Sequence, residues 1–149
     1  MHEINVFGVK KDVIEYTKRI GGYAVIYKEE TGEIAVVKNE KAHCFLPGGG
    51  LKLGESLEEC IIRECREEVG LKVAVKKFIG SAKQYFQSPN DDIYYLNEGH
   101  FYTCNTEEEQ VPLEKNNTLL WIEPSIAIKM LVHEHHRWAI VNFLQRSLL

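Results

Sequence analysis

One stretch of the chain carries apolar residues at the spacing of an amphipathic helix. The apolar positions follow i, i+3, i+4 and i+8, and the residues are Leu57, Cys60, Ile61 and Cys65. Such a stripe is typical of a helix that packs one face on a core. Ser56 and Glu59 have the spacing of a capping box, and Gly70 is suited to end the helix. The pattern therefore predicts a helix between Ser56 and Gly70.

Short apolar runs bounded by turn residues predict strands on both sides of this helix. Before it, strands at 22–27 and 34–38 are joined by a predicted turn at 28–32. Gly21 and Gly22 predict a backbone bend at the start of the first strand. After the helix, strands are predicted at 73–80, 82–87, 100–106 and 118–122, with a polar loop at 88–92.

Two further helices are predicted near the end of the chain. Pro124 suits the first position of a helix at 124–131. A helix at 134–145 has apolar residues at helical spacing that predict packing, namely Trp138, Val141, Leu144 and Leu148. Strands around an early helix, with helices at the end, predict an α/β (α+β) fold with a mixed sheet between helices.

Composition and charge narrow the class of partner. The 149 residues suffice for one core, so a single domain over residues 1–149 is expected. A net charge of −4 argues against a nucleic-acid polymer or an acidic membrane as partner. No stretch has the length of a membrane span, and the polar N-terminus does not read as a signal peptide. Four cysteines without CxxC spacing predict reduced thiols and a cytoplasmic protein.

Acidic residues are concentrated on one face of the predicted early helix. Glu64 lies three residues before Glu67 and four before Glu68, so their carboxylates share a face. Three like charges on one face repel each other unless a cation lies between them. A hard divalent cation such as magnesium takes oxygen ligands and bridges carboxylates to phosphate oxygens. The glycine-rich turn at 46–50 allows the backbone to approach such a ligand closely.

The segment 49–71 resembles the Nudix box, the signature of the Nudix (MutT-like) hydrolases. Gly49 is followed after five residues by Glu55, and after seven more by the run Arg-Glu-Cys-Arg-Glu-Glu-Val-Gly-Leu that starts at Arg63. Every fixed polar and glycine position is filled, and only Cys65 replaces the usual aliphatic residue. The order of elements extends the resemblance to the whole chain. It implies a Nudix-type α/β/α sandwich with a mixed sheet.

The resemblance also implies an activity, which is hydrolysis of a nucleoside diphosphate linked to another group. Substrates of this kind are nucleoside triphosphates and their modified forms, ADP-ribose and nucleotide-sugars. The implied cofactor is Mg²⁺, with Mn²⁺ as a substitute, held by Glu64, Glu67, Glu68 and a backbone carbonyl of Gly48 or Gly49. Glu64 or Glu67 is the expected base. Arg63 is expected to orient the box carboxylates, with Glu55 as its partner.

Residues outside these positions are expected to contact the substrate. Lys52 and Gly48 are candidates, although a solvated Lys52 is the simpler interpretation. Some Nudix enzymes use a further glutamate outside the box, and the candidates are Glu98, Glu107, Glu108, Glu109 and Glu114, with Glu114 or the 107–109 run favoured. Candidates for a ring that stacks on the base are Tyr85, Phe86, Tyr94, Tyr95, Phe101 and Tyr102, although a place in the core or on the sheet surface is the simpler interpretation of each.

The sequence leaves the identity of the substrate open. The proline and tyrosine that mark two substrate classes beyond the box are both absent from their positions. A catalytically silent domain that binds or senses nucleotides is the alternative, which the intact acidic set disfavours. A homodimer is compatible with the family resemblance. His133, His135 and His136 are expected at the surface or at a helix cap rather than at a metal.

Overall fold

The computed structural model describes residues 4–147 of the chain. Eight strands and three helices lie within these residues. In chain order they are β1 Asn5–Phe7, β2 Thr17–Lys28, β3 Glu33–Lys38, β4 Cys44–Phe45, β5 Gly48–Gly50, α1 Leu57–Val69, β6 Leu71–Gln87, β7 Tyr94–Glu109, β8 Thr118–Ile122, α2 Pro124–Met130 and α3 Glu134–Ser147. Leu148, predicted to pack with the last helix, lies outside the described residues. Within the described part, no helix is long and apolar enough to cross a membrane.

The strands form one mixed sheet with helices on both faces. The order is β1-β6-β7-β2-β3-β4, while β5 pairs with β2 and β8 with β3. β1 runs parallel to β6 and β2 parallel to β7, and the other pairs are antiparallel. The sheet has a hydrophobic core on each face, and alternate residues of β2 belong to different cores. Ala24 and Ile26 pack with α1, whereas Val25 packs with α2 and α3. The predicted sandwich with a mixed sheet is confirmed.

The central strands are longer than predicted. β6 is one continuous strand, whereas two strands at 73–80 and 82–87 were expected. Shifts in the pairing register with β7 around Phe78 and Gly80 allow the strand to continue through the region where its apolar alternation is interrupted. The prediction of a bend at Gly21 and Gly22 is wrong, since both residues lie inside β2. At Gly22 a Cβ would stand 2.9 Å from the Cγ1 of Ile61. The glycine therefore allows α1 to pack closely on the sheet.

Local signals define α1 as predicted. The Ser56 hydroxyl accepts a hydrogen bond from the backbone N–H of Glu59 at 3.1 Å, and the Glu59 carboxylate accepts one from the N–H of Ser56 at 3.1 Å. Gly70 ends the helix in the left-handed conformation, with φ at 67°. Cys60, Ile61 and Cys65 of the apolar stripe are buried against the sheet and Leu57 is half-buried, and the four cysteines of the chain are buried free thiols.

His135 and His136 of α3 are not at the surface, so the prediction of a surface position is wrong for these two, whereas His133 is half-buried directly before the helix. His135 is 0% exposed and His136 is 1% exposed. The first turn of α3 lies on the sheet, where Gly99 leaves room: a Cβ there would stand 3.1 Å from the Cδ2 of His135. The pattern of apolar residues could not reveal the burial of His135 and His136, because these polar rings occupy positions in the core. Burial lowers the pKa of His135 to about 3 and that of His133 to about 4.

We expect the buried histidines to make the fold sensitive to mild acid. The unfolded chain takes up a proton at each histidine as the pH falls through about 6.5, whereas folded His135 stays neutral until about pH 3. Its contribution to stability is therefore complete above pH 6.5 and is lost progressively below it. Replacing His135 with Leu should reduce the loss of unfolding free energy between pH 7.5 and 5 by about 1–2 kcal/mol.

Urea unfolding followed by circular dichroism at both pH values measures this difference. Comparison of wild type with His135→Leu cancels the contributions of the carboxylates, which are present in both proteins. Parallel losses of stability in the two proteins would contradict the neutral buried state of His135.

Candidate active site

The guanidinium of Arg63 lies at the centre of the acidic face of α1. It donates two hydrogen bonds to Glu55, from Nε to Oε2 at 2.6 Å and from Nη2 to Oε1 at 2.9 Å. Nη1 donates to Glu64 Oε1 at 2.7 Å and to Glu67 Oε2 at 3.2 Å, and Nη2 also donates to the carbonyl of Gly50 at 3.1 Å. The side chain is 19% exposed. One cation therefore holds the loop before α1 and the carboxylates on α1 in one cluster.

The glycine-rich turn at 46–50, called the glycine loop below, approaches α1 closely because residues 48–50 are glycines. A Cβ at Gly49 would stand 2.7 Å from the Cδ of Glu64, so a larger residue would displace that carboxylate. The N–H of Gly48 donates to Glu68 Oε1 at 2.9 Å, and the carbonyl of Gly49 accepts from the Cys60 thiol at 3.3 Å. These contacts place the backbone of the loop directly over the acidic face.

The carboxylates of this face differ in their electrostatic surroundings. Hydrogen bonds from Arg63 and from the N–H of Lys52 lower the pKa of Glu55 to about 2. Burial raises the pKa of Glu64 and raises that of Glu68 well above its usual range, and the neighbouring charges of Glu67 and Glu114 add to both effects. One guanidinium thus faces more negative charge than it can balance.

The predicted metal ligands lie together but are engaged by the protein. Between residues 4 and 147, no three carboxylate, imidazole or thiol groups form a ready-made metal site. Arg63 binds Glu64 and Glu67, and the N–H of Gly48 binds Glu68. Each of these carboxylates is held through one of its two oxygens among the described contacts. The roles of Glu64, Glu67, Glu68 and the Gly49 carbonyl as ligands stay predictions.

Among the candidate glutamates outside the box, Glu114 lies next to α1. The backbone N–H of Glu114 donates to the carbonyl of Glu67 at 2.8 Å. The side-chain amide of Asn117 donates to the carboxylate of Glu114 at 2.7 Å and to the carbonyl of Glu68 at 3.5 Å. Glu98 instead contacts His100 at 2.8 Å, and Glu107, Glu108 and Glu109 are exposed at the end of β7. Lys52 is exposed, and its backbone rather than its ammonium binds Glu55.

A cavity of about 500 Å³ opens beside the loop and α1. Gly48 and Glu68 line one side of it, so it is continuous with the acidic face. Two of the rings predicted as stacking candidates, Phe86 and Tyr95, also line it. Their centroids are 5.6 Å apart with an angle of 24° between the planes. A pocket of this volume suits a small organic molecule.

The sequence alone did not reveal three polar residues that line this cavity, namely Arg19, Asn97 and His136. Asn97 lies at an inward position of β7, between Tyr95 and Gly99, and is 7% exposed. A polar residue at an inward position of a strand was the only signal of this role, and the strand was predicted to begin at residue 100. Arg19 lies in the part of β2 that was not predicted.

The chain matches known proteins over most of its length. The family model described as NUDIX domain matches residues 17–141. A putative 8-oxo-dGTP diphosphatase of Bacillus subtilis is 31% identical over 106 residues, which are 69% of this chain and 66% of that protein. The NAD-capped RNA hydrolase NudC of Pseudomonas aeruginosa is 49% identical over 43 residues, which are 25% of this chain. The match spans only 16% of the length of NudC.

Solved structures share the fold. The E. coli dihydroneopterin triphosphate pyrophosphohydrolase superposes with a TM-score of 0.73, and the superposition covers 88% of this chain and 98% of that chain. The sequence identity is 16%, so this similarity concerns the fold alone.

We expect Arg63→Lys to loosen the site although it keeps the charge. Lysine offers three donors on a flexible chain and cannot reproduce the forked contact with Glu55 together with the bonds to Glu64 and Gly50. The free energy of unfolding should fall by about 1–3 kcal/mol, as measured by urea unfolding.

Arg66→Lys provides the matched control, because Arg66 is exposed on the same helix and makes no ion pair among residues 4–147. Its stability should stay within about 0.5 kcal/mol of the wild type. Equal stabilities of the two variants would show that the Arg63 cluster contributes nothing to the fold.

Proposed function

The chain belongs to the Nudix family, and on that premise we propose that it hydrolyses a nucleoside diphosphate linked to another group. The observation that supports this most directly is the cluster around Arg63, in which Glu55, Glu64 and Glu67 lie within hydrogen-bonding distance of one guanidinium. Glu68 and the glycine loop complete this face. The proposed domain is the whole chain, and the proposed partner is a small nucleotide.

The residues of this face fit a divalent metal. All available donors are carboxylate or carbonyl oxygens, which Mg²⁺ and Mn²⁺ prefer. The raised pKa values of Glu64 and Glu68 reflect buried, mutually repelling carboxylates, which a cation would stabilise in their charged form. Glu64, Glu67, Glu68 and the carbonyl of Gly49 would hold it. A metal bound there supplies charge neutralisation for the phosphates and a lower pKa for the attacking water.

The residues of the chain supply positioning and proton transfer. Glu64 or Glu67 takes the proton of the attacking water, as expected of a carboxylate on the same face. The water oxygen bonds to a phosphorus, and the phosphoanhydride bond breaks with its electron pair on the leaving phosphate oxygen. Arg63 fixes the orientation of both carboxylates, and Glu55 fixes Arg63 through two bonds. Arg63 and Glu55 are therefore positioning residues.

Arg19 is proposed as a contact for the phosphates. Its guanidinium lies over the ring of Tyr95, 5.4 Å from the centroid. A Cβ at Gly50 would stand 2.7 Å from Arg19 Nη2, so the cation also borders the glycine loop. It makes no ion pair with any carboxylate of the described residues. A cation between the cavity and the acidic face suits the polyphosphate of a substrate that spans both. Gly48, Lys52 and Glu114 are further proposed contacts.

The substrate class remains that of nucleoside triphosphates, their modified forms, ADP-ribose and nucleotide-sugars. The B. subtilis relative is named for 8-oxo-dGTP, which is a modified triphosphate. Chromatography of the products formed from each class, with and without magnesium, identifies the substrate: triphosphates release phosphate or pyrophosphate, whereas ADP-ribose and nucleotide-sugars give a nucleoside monophosphate and a sugar phosphate.

We expect Glu67→Gln to lower magnesium-dependent turnover by two or more orders of magnitude with little change of the fold. The substitution removes one negative charge from the proposed metal face, and the side chain is 29% exposed, so packing is preserved. The measurement is the steady-state rate of product formation from the identified substrate at saturating magnesium, with thermal unfolding of the same protein.

Glu58→Gln serves as the matched control, since Glu58 is exposed in the first turn of the same helix. Its turnover should equal that of the wild type. Near-wild-type turnover of Glu67→Gln would refute the assignment of this face as the active site.

A second variant tests the approach of the loop to the helix. A Cβ at Gly49 meets the end of the Glu64 side chain, which is flexible and can move away. We expect Gly49→Ala to keep a melting temperature within a few degrees of wild type but to lower turnover at least tenfold, because Glu64 no longer lies over the loop. Unchanged turnover would mean that the position of Glu64 seen here is not the one used in hydrolysis.

A further inference from the structure

One face of the sheet carries a polar row that begins at Arg19, the proposed phosphate contact, and continues with two residues that have no part in the proposed hydrolysis. Arg19 of β2 pairs with Asn97 of β7, which pairs in turn with Gln84 of β6. Residues paired across neighbouring strands present their side chains on the same face. All three side chains line the cavity beside Glu68. The row therefore forms part of the cavity wall.

The next row of the same face is aromatic. Tyr95 and Phe86 are paired two residues further along β7 and β6, and their rings are stacked. Phe86 also meets the ring of His133 edge-on, with centroids 4.8 Å apart. Flat aromatic surfaces of this kind favour contact with another planar ring.

Helix α3 brings a hydrogen-bond donor to this polar row. The N–H of His135 donates to Gln84 Oε1 at 3.2 Å, so the start of α3 is fixed against β6. His136 follows and lines the cavity. Its Nδ1 accepts a hydrogen bond from the N–H of Leu46 at 3.1 Å, which places the proton of the neutral ring on Nε2. Burial lowers the pKa of His136 well below its usual value, and the ring is neutral near pH 7.

Two buried polar atoms in this wall have no partner among the described residues. They are His136 Nε2, a donor, and Asn97 Oδ1, an acceptor. His136 is 1% exposed and Asn97 is 7% exposed. Buried polar groups are paired in the great majority of cases, because an unpaired one loses its hydrogen bonds to water. A ligand that offers one acceptor and one donor would satisfy both atoms.

We propose that this cavity binds the nucleobase of the substrate, with His136 Nε2 donating to the base and Asn97 Oδ1 accepting from it. The proposal rests on the proposed function and specifies how that site selects a nucleoside polyphosphate. The edges of the common bases present a donor beside an acceptor, and the Phe86–Tyr95 wall provides a surface for the planar ring. The lining holds two cations, Arg19 and Lys41, and two carboxylates, Glu68 and Asp91, so the cavity as a whole does not favour an anion. Arg19 also borders the glycine loop, and the phosphates therefore belong on that side of the cavity, beside α1.

Binding measured without metal tests the proposal separately from hydrolysis. The probes are AMP, GMP, IMP, UMP and CMP, with ribose 5-phosphate as the probe that lacks a base. We expect calorimetry to give at least one nucleoside monophosphate an affinity ten or more times that of ribose 5-phosphate. Comparable binding of ribose 5-phosphate, or no binding of any nucleoside monophosphate, would overturn the proposal.

Two substitutions remove the proposed contacts one at a time. His136→Asn keeps an acceptor near the position of Nδ1 for the N–H of Leu46 but removes the Nε2 donor. Asn97→Leu has a similar volume and removes the acceptor. Each should weaken binding of the best monophosphate about tenfold and leave ribose 5-phosphate unchanged. The matched controls are Asn105→Leu, exposed on the same strand, and His100→Asn, which lies outside the cavity lining.

A measurement on the wild-type protein covers the case in which a variant does not fold. The Nε2 proton and nitrogen resonances of His136 should shift when the best monophosphate is added, and an unchanged signal at saturation would overturn the proposal. Magnesium-dependent hydrolysis that is equal in wild type and folded variants for all bases would overturn the base site alone. Base binding that the variants abolish, without any hydrolysis, would overturn the proposed function alone.

Discussion

The candidate site depends on the contact of one guanidinium with several carboxylates. Without Arg63, the acidic face of α1 would hold like charges within one turn of helix, and the loop before it would lose its bonds to the helix. The forked geometry of arginine matters here, because Nε and Nη2 donate to Glu55 while Nη1 donates to the carboxylates on α1. The face keeps more negative charge than this one guanidinium balances, which supports the proposed metal site.

Strand β2 joins the two parts of the site. Gly22 allows α1 to approach from one face of the sheet, and Gly21 and Gly22 pair with β5, which carries the glycine loop. On the other face, Arg19 and Tyr23 line the cavity. A change in the position of β2 would therefore move the acidic face and the cavity together, and the distance between them is fixed by a single rigid element.

Local features of the sequence were sufficient to predict α1 and its caps. The capping box, the apolar stripe and Gly70 act within a few residues, and the glycine at 49 and the charges of α1 follow the same short-range spacing. Strands β1, β4 and β5 were not predicted, because each has only two or three residues and is defined by its partner. The burial of His135, and the row of Arg19, Asn97 and Gln84, depend on the register of strands far apart in sequence, which local patterns do not specify.

The two parts of the site differ in charge in a way that suits different tasks. Around Arg63 the groups are charged and partly exposed, which suits the phosphates of the proposed substrate, whose charge distribution changes during hydrolysis. The wall formed by Asn97 and His136 is neutral and nearly fully buried, so a bound group gains affinity there only if its donors and acceptors match. Charged contacts tolerate many anions, whereas a buried neutral donor and acceptor penalise every ligand that leaves one of them unpaired. The proposed base site therefore assigns selection among substrates to the cavity wall, although of the family signature only Glu68 lines that cavity among the described residues.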